Sequence, residues 1–208
     1  MRRFEAANPS PRGELEHADP YTLLVAVVLS AQATDRSVNI ATAGLFRAAS
    51  DPAAMVALGE DRLMDHIRTI GLFRTKAKNV IALSRRLLEE HGGTVPPARA
   101  ILESLPGVGR KTASVVLNVA FGEPTIAVDT HVFRVSNRVP IVIAATPDDV
   151  QVGLENRIPK PYLQHAHHWL ILHGRYVCKA RTPDCQSCLI HDLCRFPDKT
   201  GGSVTDGM

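Results

Sequence analysis

The stretch Leu105 to His131, LPGVGRKTASVVLNVAFGEPTIAVDTH, combines a glycine turn, a lysine, a nearly all-apolar segment and a lone aspartate. Pro106 fixes φ and stops the helical segment before it, while Gly107 and Gly109 permit positive φ and carry no Cβ to hold off an approaching partner. From Arg110 to Phe121 the apolar residues Ala113, Val115, Val116, Leu117, Val119 and Ala120 are too continuous for a surface helix. A helix buried on most sides is expected there. Lys111, Ser114 and Asn118 recur at helical spacing on one face, which suits the wall of a cleft. A glycine turn feeding a helix N-terminus presents unpaired N–H groups and a partial positive charge, and so forms an anion site.

An ordinary lysine, with a pKa of about 10.4, is protonated at neutral pH and is no nucleophile. Burial at a helix N-terminus beside Arg110 would disfavour the charge on Lys111, and a free amine attacks carbonyl-like carbons to form a Schiff base. Asp129, beyond the Gly122-Glu123-Pro124 break, could take a proton or stabilise positive charge. Each has an ordinary alternative: Lys111 as a solvated lysine of a first helical turn, Asp129 as the N-cap of a helix starting at Thr130.

Upstream, Asp19-Pro20 supplies an N-cap and an N1 proline to an apolar helix, Tyr21 to Ser30, expected to be the central buried one. Ser30-Ala31-Gln32-Ala33-Thr34-Asp35 breaks that pattern and starts a helix running to Phe46, with Asp35 a candidate cap and Gln32 a polar loop residue. Asp51-Pro52 opens a short helix ending near Gly59, Glu60 to Thr69 makes another, and Ile70-Gly71-Leu72 follows, with Leu72 a candidate apolar cap contact. Arg74 to His91 is amphipathic and ends at Gly92-Gly93; its cations Arg74, Lys76, Lys78, Arg85 and Arg86 are expected mostly to face solvent. Arg99 to Leu105 leads into the glycine turn, and helices from Thr146 towards Ile158 and from Tyr162 to Tyr176 follow. Residues 1–19 read as a loop or frayed helix, and the glycine-rich tail from Thr200 as disordered. The apolar run Val139 to Ala144 is broken by Pro140 and makes a poor strand, so the fold class is all-α.

A chain of 208 residues with 45% hydrophobic and 22% charged residues has the composition of a globular protein of one large or two small domains. Its net charge of +3 points weakly to nucleic acid. No apolar run reaches the roughly 18 residues that a spanning helix needs. Met1-Arg2-Arg3-Phe4 is followed by Glu5, Asn8 and Pro9 rather than an apolar core, so no secretory signal is read and a cytoplasmic location is expected.

All four cysteines, Cys178, Cys185, Cys188 and Cys194, fall in one segment spaced C-x6-C-x2-C-x5-C. Four thiolates in so short a loop suit a tetrahedral metal or an iron–sulfur cluster rather than disulfides, and spacing alone favours zinc. Arg175, Lys179, Arg181, Arg195 and Lys199 surround the loop and offer cations to phosphates. His165, His167, His168 and His173 are poorly spaced for a metal site and are assigned to surface and packing; His131 follows closely on Asp129.

In order along the chain, these motifs resemble those of the endonuclease III family of helix-hairpin-helix DNA glycosylases. Leu105 to Gly109 is similar to the family's hairpin, which binds DNA backbone phosphate without reading bases, and Lys111 and Asp129 match its lysine and the aspartate of V-D-T-H. Gln32 matches a glutamine that enters the DNA stack, and Leu72 an apolar wedge that fills the gap left by an extruded nucleotide. The cysteine spacing matches the family's [4Fe–4S] loop, which turns the assignment from zinc to the cluster. The resemblance runs from Pro20 to Cys194.

It implies a helix-hairpin-helix DNA glycosylase fold of two helical domains, with residues 20–123 forming a six-helix domain, 1–19 with 124–208 the cluster-bearing one, and Lys111 and Asp129 in a cleft between them. It also implies a base-excision repair enzyme that removes a damaged base, an oxidised pyrimidine, and cleaves the abasic site by β-elimination through a Lys111 Schiff base. Gln32, Leu72, Gly107, Val108, Gly109 and Arg110 would touch the DNA, and Cys178, Cys185, Cys188 and Cys194 would hold the [4Fe–4S] cluster. The expected partner is double-stranded DNA with damaged bases or abasic sites, bound by a monomer at the nucleoid, with no membrane. Two alternatives stay open: a monofunctional or lyase-deficient glycosylase of the same fold, and a non-catalytic DNA-binding or electron-carrying iron–sulfur protein. The second gives no reason for Lys111 and Asp129.

Overall fold

The computed structural model describes residues 1–200, and every regular element among them is helical. The tail beyond Thr200, expected to be disordered, lies outside the described residues. Contacts divide the chain into two compact units, Met1–Arg12 with the chain from Pro124 onward, and Gly13–Glu123.

The N-terminus is a helix, α1 (Arg2–Ala7), rather than a loop. Phe4 anchors it by burying its ring in the core of the first unit, and Trp169 Nε1 donates to Asn8 O just beyond its end at 2.8 Å. The following residues depart from the expected grouping. Asn39 donates through Nδ2 to Glu14 O at 2.8 Å and accepts from Glu16 N at 3.0 Å, which ties this segment to the second unit.

The second unit is built on α2 (Pro20–Ser30). Asp19 caps it, accepting from the Tyr21 and Thr22 amides at 2.8 Å, while Thr22 Oγ1 accepts from Asp19 N at 3.1 Å. Every residue from Tyr21 to Leu29 is buried, so α2 is the core rather than a covering helix. Its one ring hydroxyl is satisfied: Tyr21 Oη shares a 2.6 Å hydrogen bond with Ser84 Oγ, which donates on to Val80 O. Around it come α3 (Asp35–Ala48), α4 (Pro52–Leu58), α5 (Glu60–Ile67), α6 (Phe73–His91), α7 (Arg99–Ser104) and α8 (Arg110–Phe121). The cap of α3 is Thr34, whose Oγ1 accepts from Ser37 N, and not Asp35; Asp35 lies in the first turn, where its charge suits the helix dipole. Lys76 of α6 is only 5% exposed, contrary to the expectation of a solvated face, and its Nζ has no hydrogen-bond partner among the described residues. Burial lowers its pKa.

The first unit adds α9 (Thr130–Arg138), α10 (Pro147–Arg157) and α11 (Lys160–Leu172). Ile126, Val132, Val135, Val150, Leu154, Trp169 and Leu170 form its core. The run from Val139 to Ala144 is not a strand. The last long helix does not continue to Tyr176 as α-helix: after Leu172 it widens into a π turn, His173–Val177, which delivers the chain to the cysteines.

Candidate functional site

The glycine turn closes through Val108 N–H to Leu105 O at 3.1 Å and carries the chain from α7 into α8. Only Gly107 takes the left-handed backbone, at φ +78; Gly109 is extended, at φ −96, and is the N-cap of α8. Positive φ is therefore needed at one glycine of the two. At Gly109 an added Cβ would meet nothing within 4 Å, so this side of the turn is open to a ligand, and no side chain caps α8. Val108 is buried, at 6% exposure, and its amide is already given to Leu105 O, so Gly107 and Gly109 are the residues of the turn whose backbone can meet a phosphate.

Lys111 is at the second position of α8 and is exposed, as is Arg110. The burial expected of Lys111 is not supplied by its own unit. The face it was grouped with splits in two. Ser114 and Asn118 are buried, Ser114 Oγ accepting from Arg99 Nη1 at 2.8 Å and Asn118 Nδ2 donating to Glu123 O at 3.3 Å. They fix α7 and the end of α8 to this unit and do not form a cleft wall.

Gln32 and Leu72 are the two non-glycine residues at positive φ among those described, at 55° and 59°. Each stores roughly 1–2 kcal/mol of backbone strain. Both side chains are exposed, Leu72 at 60%, so neither residue recovers that strain by packing. Leu72 is not among the hydrophobics packed against the core of its unit. Strained loop positions that hold a leucine and a glutamine out into water do not serve core building.

Asp129 is the N-cap of α9, its Oδ1 accepting from His131 N at 2.9 Å and Val132 N at 2.8 Å. Neither bond uses Oδ2. The capping role is thus real and consumes one carboxylate oxygen. His131 contributes its amide to this cap and places Nδ1 3.2 Å from Arg134 Nη2.

The four cysteines line one pocket, together with Arg138, His173, Phe196 and Lys199. Burial pushes the Cys188 thiol up, and the other three cysteines add to this by like charge. Four thiolates in one pocket need a cation between them. Donors also face the sulfurs: Phe196 N is 3.4 Å from Cys194 Sγ and Arg138 Nη1 3.6 Å from Cys178 Sγ. An all-thiol donor set with N–H groups turned towards two of its sulfurs fits an iron–sulfur cluster. Sequence reasoning missed Arg138; His173 packs as expected, edge-on to Phe4, and its Nε2 also lies 3.6 Å from Cys188 Sγ.

The family model for HhH-GPD superfamily base excision DNA repair proteins matches residues 25–160. Endonuclease III of Escherichia coli (strain K12) is 54% identical over 199 residues, 96% of this chain and 94% of that protein. Endonuclease III of Treponema pallidum (strain Nichols) is 55% identical over 194 residues, covering 93% and 92%. A solved structure of a trapped endonuclease III–DNA covalent intermediate, an estranged-adenine complex, superposes with a TM-score of 0.87 at 45% identity over 93% of this chain and 92% of that one. Identity at this level across nearly the whole length, with the superfamily match over the segment that carries the hairpin and Asp129, means that this protein belongs to the endonuclease III family of base excision DNA repair proteins.

Proposed function

We propose that this family member, a bifunctional DNA glycosylase and abasic-site lyase, uses Lys111 as its nucleophile and Asp129 to assist proton transfer, on duplex DNA carrying oxidised pyrimidines. The observation that carries the assignment is the placement of Lys111: an exposed amine two residues after Gly109, where an uncapped helix start faces outward. Phosphate held at the Gly107 and Gly109 backbone positions the strand so that the amine meets a sugar carbon. DNA closing over Lys111 supplies the desolvation that its own unit does not.

The Lys111 amine attacks C1′, the glycosidic bond breaks with its electron pair on the base, and the amine gives up a proton. Opening of the sugar ring leaves a Schiff base between Nζ and C1′. Loss of a C2′ proton then expels the 3′ phosphate by breaking the C3′–O bond, and water releases the lysine. Oδ2 of Asp129, outside the helix cap, is the oxygen assigned to proton transfer or to stabilising positive charge on the sugar. Gln32 and Leu72 occupy the space of the extruded nucleotide. Cys178, Cys185, Cys188 and Cys194 hold a [4Fe–4S] cluster, which when bound cross-links the loop at four points and offsets the thiolate charge.

Incubation with damaged duplex and borohydride tests the nucleophile: wild type gives a covalent protein–DNA adduct, and Lys111→Gln gives none while retaining duplex binding. An adduct formed by Lys111→Gln at the wild-type rate sinks the assignment. Stoichiometric zinc in place of iron in purified protein sinks the cluster.

A further inference from the structure

The end of α9 and the π turn converge on the cysteine loop through two side chains that the excision chemistry does not use. Arg138, the last residue of α9, donates from Nη1 to Lys179 O at 2.7 Å and from Nη2 to Ala180 O at 2.8 Å, and its guanidinium lies 4.0 Å from the Phe196 ring centroid. Its own carbonyl accepts from Arg195 N at 3.2 Å. One residue therefore grips the loop next to its first cysteine and again next to its last. The grip fixes Nη1 at 3.6 Å from Cys178 Sγ.

His173 is placed from the other side. It is 5% exposed and stands edge-on to Phe4 at 5.3 Å between centroids, and its carbonyl accepts from Cys178 N at 2.7 Å. Cys178 is five residues on, so this bond belongs to the π register, which a regular α-helix would not make. With ring and backbone both held, Nε2 lies 3.6 Å from Cys188 Sγ. A ligand thiolate has no hydrogen to give, so in the loaded protein Nε2 must carry the proton and donate.

Resting on the cluster reading above, we propose that Arg138 and His173 are positioning residues that hydrogen-bond the ligand sulfurs of Cys178 and Cys188 and thereby raise the reduction potential of the cluster. An N–H aimed at a thiolate draws off electron density and favours the more reduced, more negative form. Arg138 adds a full positive charge, held by its two carbonyl contacts and the Phe196 stack. The pair works on two different sulfurs, so the effects are separable.

The test is iron and sulfide content together with the reduction potential, measured by voltammetry on the loaded full-length protein. His173→Leu removes the donor, and its potential is expected to move negative with iron content unchanged. Gln presents its own Nε2–H at similar reach, so His173→Gln is expected to return most of the shift. Arg138→Gln, which keeps a donor but loses the charge, is expected to move the potential negative as well. If Arg138→Gln loses its iron, the two His173 variants still decide the matter. Potentials of His173→Leu and wild type that coincide, or a shift in His173→Gln as large as in His173→Leu, overturn the proposal. Wild-type protein without iron would instead overturn the cluster reading on which it rests.

Discussion

Replacing Gly107 by alanine should be costly, and the two sources of the cost can be separated. At φ +78 any residue with a Cβ sits in the left-handed region, which costs about 1–2 kcal/mol. The added Cβ would also lie 2.8 Å from Asn79 Nδ2 and 2.9 Å from Asn79 Cβ, closer than real Cβ contacts come, and the Cβ belongs to α6 itself and cannot simply rotate away. Overpacking of this kind costs about 1–3 kcal/mol. A total of about 3 kcal/mol lowers the melting temperature by roughly 6–12 °C in a chain of this size. Gly109→Ala is the control: φ is already −96 and nothing lies within 4 Å, so only the small preference for glycine at an N-cap is lost. Calorimetric melts of the two variants, with binding to undamaged duplex across a salt series, provide the readout. Gly107→Ala should weaken binding to all sequences alike, because backbone amides on phosphate read no bases. In an Asn79→Gly background the penalty of Gly107→Ala should shrink towards the backbone part alone. A Gly107→Ala protein that melts within about 2 °C of wild type, or a penalty equal in both backgrounds, would refute the seating of the hairpin on α6.

Asp129 separates cap from chemistry. Asp129→Asn keeps an oxygen for the His131 and Val132 amides, so the melt should barely move, while single-turnover excision slows by about 10²-fold or more; an unchanged rate would leave Asp129 as a cap only. Asp129→Ala should show the same kinetic loss and an added loss of about 1 kcal/mol in stability. The third expectation concerns acid. Burial first, and the nearby His165 second, push the His168 pKa down to about 4 from 6.5. The folded state thus resists a proton that the unfolded chain accepts, so stability is complete above pH 6.5, falls as the pH drops from 6.5 to about 4, and is then level for this group. The loss is about 3 kcal/mol. Urea midpoints across that range for wild type and His168→Leu check it; parallel curves would show that another group sets the slope.

What the sequence made legible is what adjacent residues decide. Asp19-Pro20 before an apolar run is enough to start α2, and nine successive apolar or small residues are enough to bury it, because no surface helix tolerates them all round. The hairpin was legible for the same reason, but its details were not: both glycines permit positive φ, and only the seating of Gly107 on Asn79 shows which one uses it. At the start of α3 two neighbouring residues could each cap, and the choice of Thr34 over Asp35 depends on which is the last extended residue, a fact about the incoming loop. Lys76 is one of five cations expected mostly to face solvent, yet it stands on the stripe of Val80, Leu83, Ser84 and Leu87 that α6 buries. Helical periodicity, not residue type, decides its burial.

The surroundings of the cysteines were illegible for a different reason, since they depend on a helix changing its register. The segment HAHHWLILHGRY has no proline and reads as one helix to Tyr176. What breaks it is contact: a Cβ on Gly174 would lie 2.8 Å from His131 Cβ and 3.1 Å from His131 O, so α9 crosses at backbone distance and only glycine fits. Arg134 Nη2 then takes the Gly174 carbonyl at 2.7 Å and Arg134 Nε the Cys178 carbonyl at 2.9 Å, which removes acceptors that a continuing helix would need for its own amides. The π turn is the register that leaves those carbonyls available while still pairing Cys178 N with His173 O. A glycine near a helix end is ordinarily evidence of a C-cap, and nothing along the chain distinguishes that case from a glycine required by a neighbouring helix. The distinguishing residues, His131 and Arg134, lie about forty positions upstream, so this part of the site is a property of the packed unit and not of any stretch of sequence.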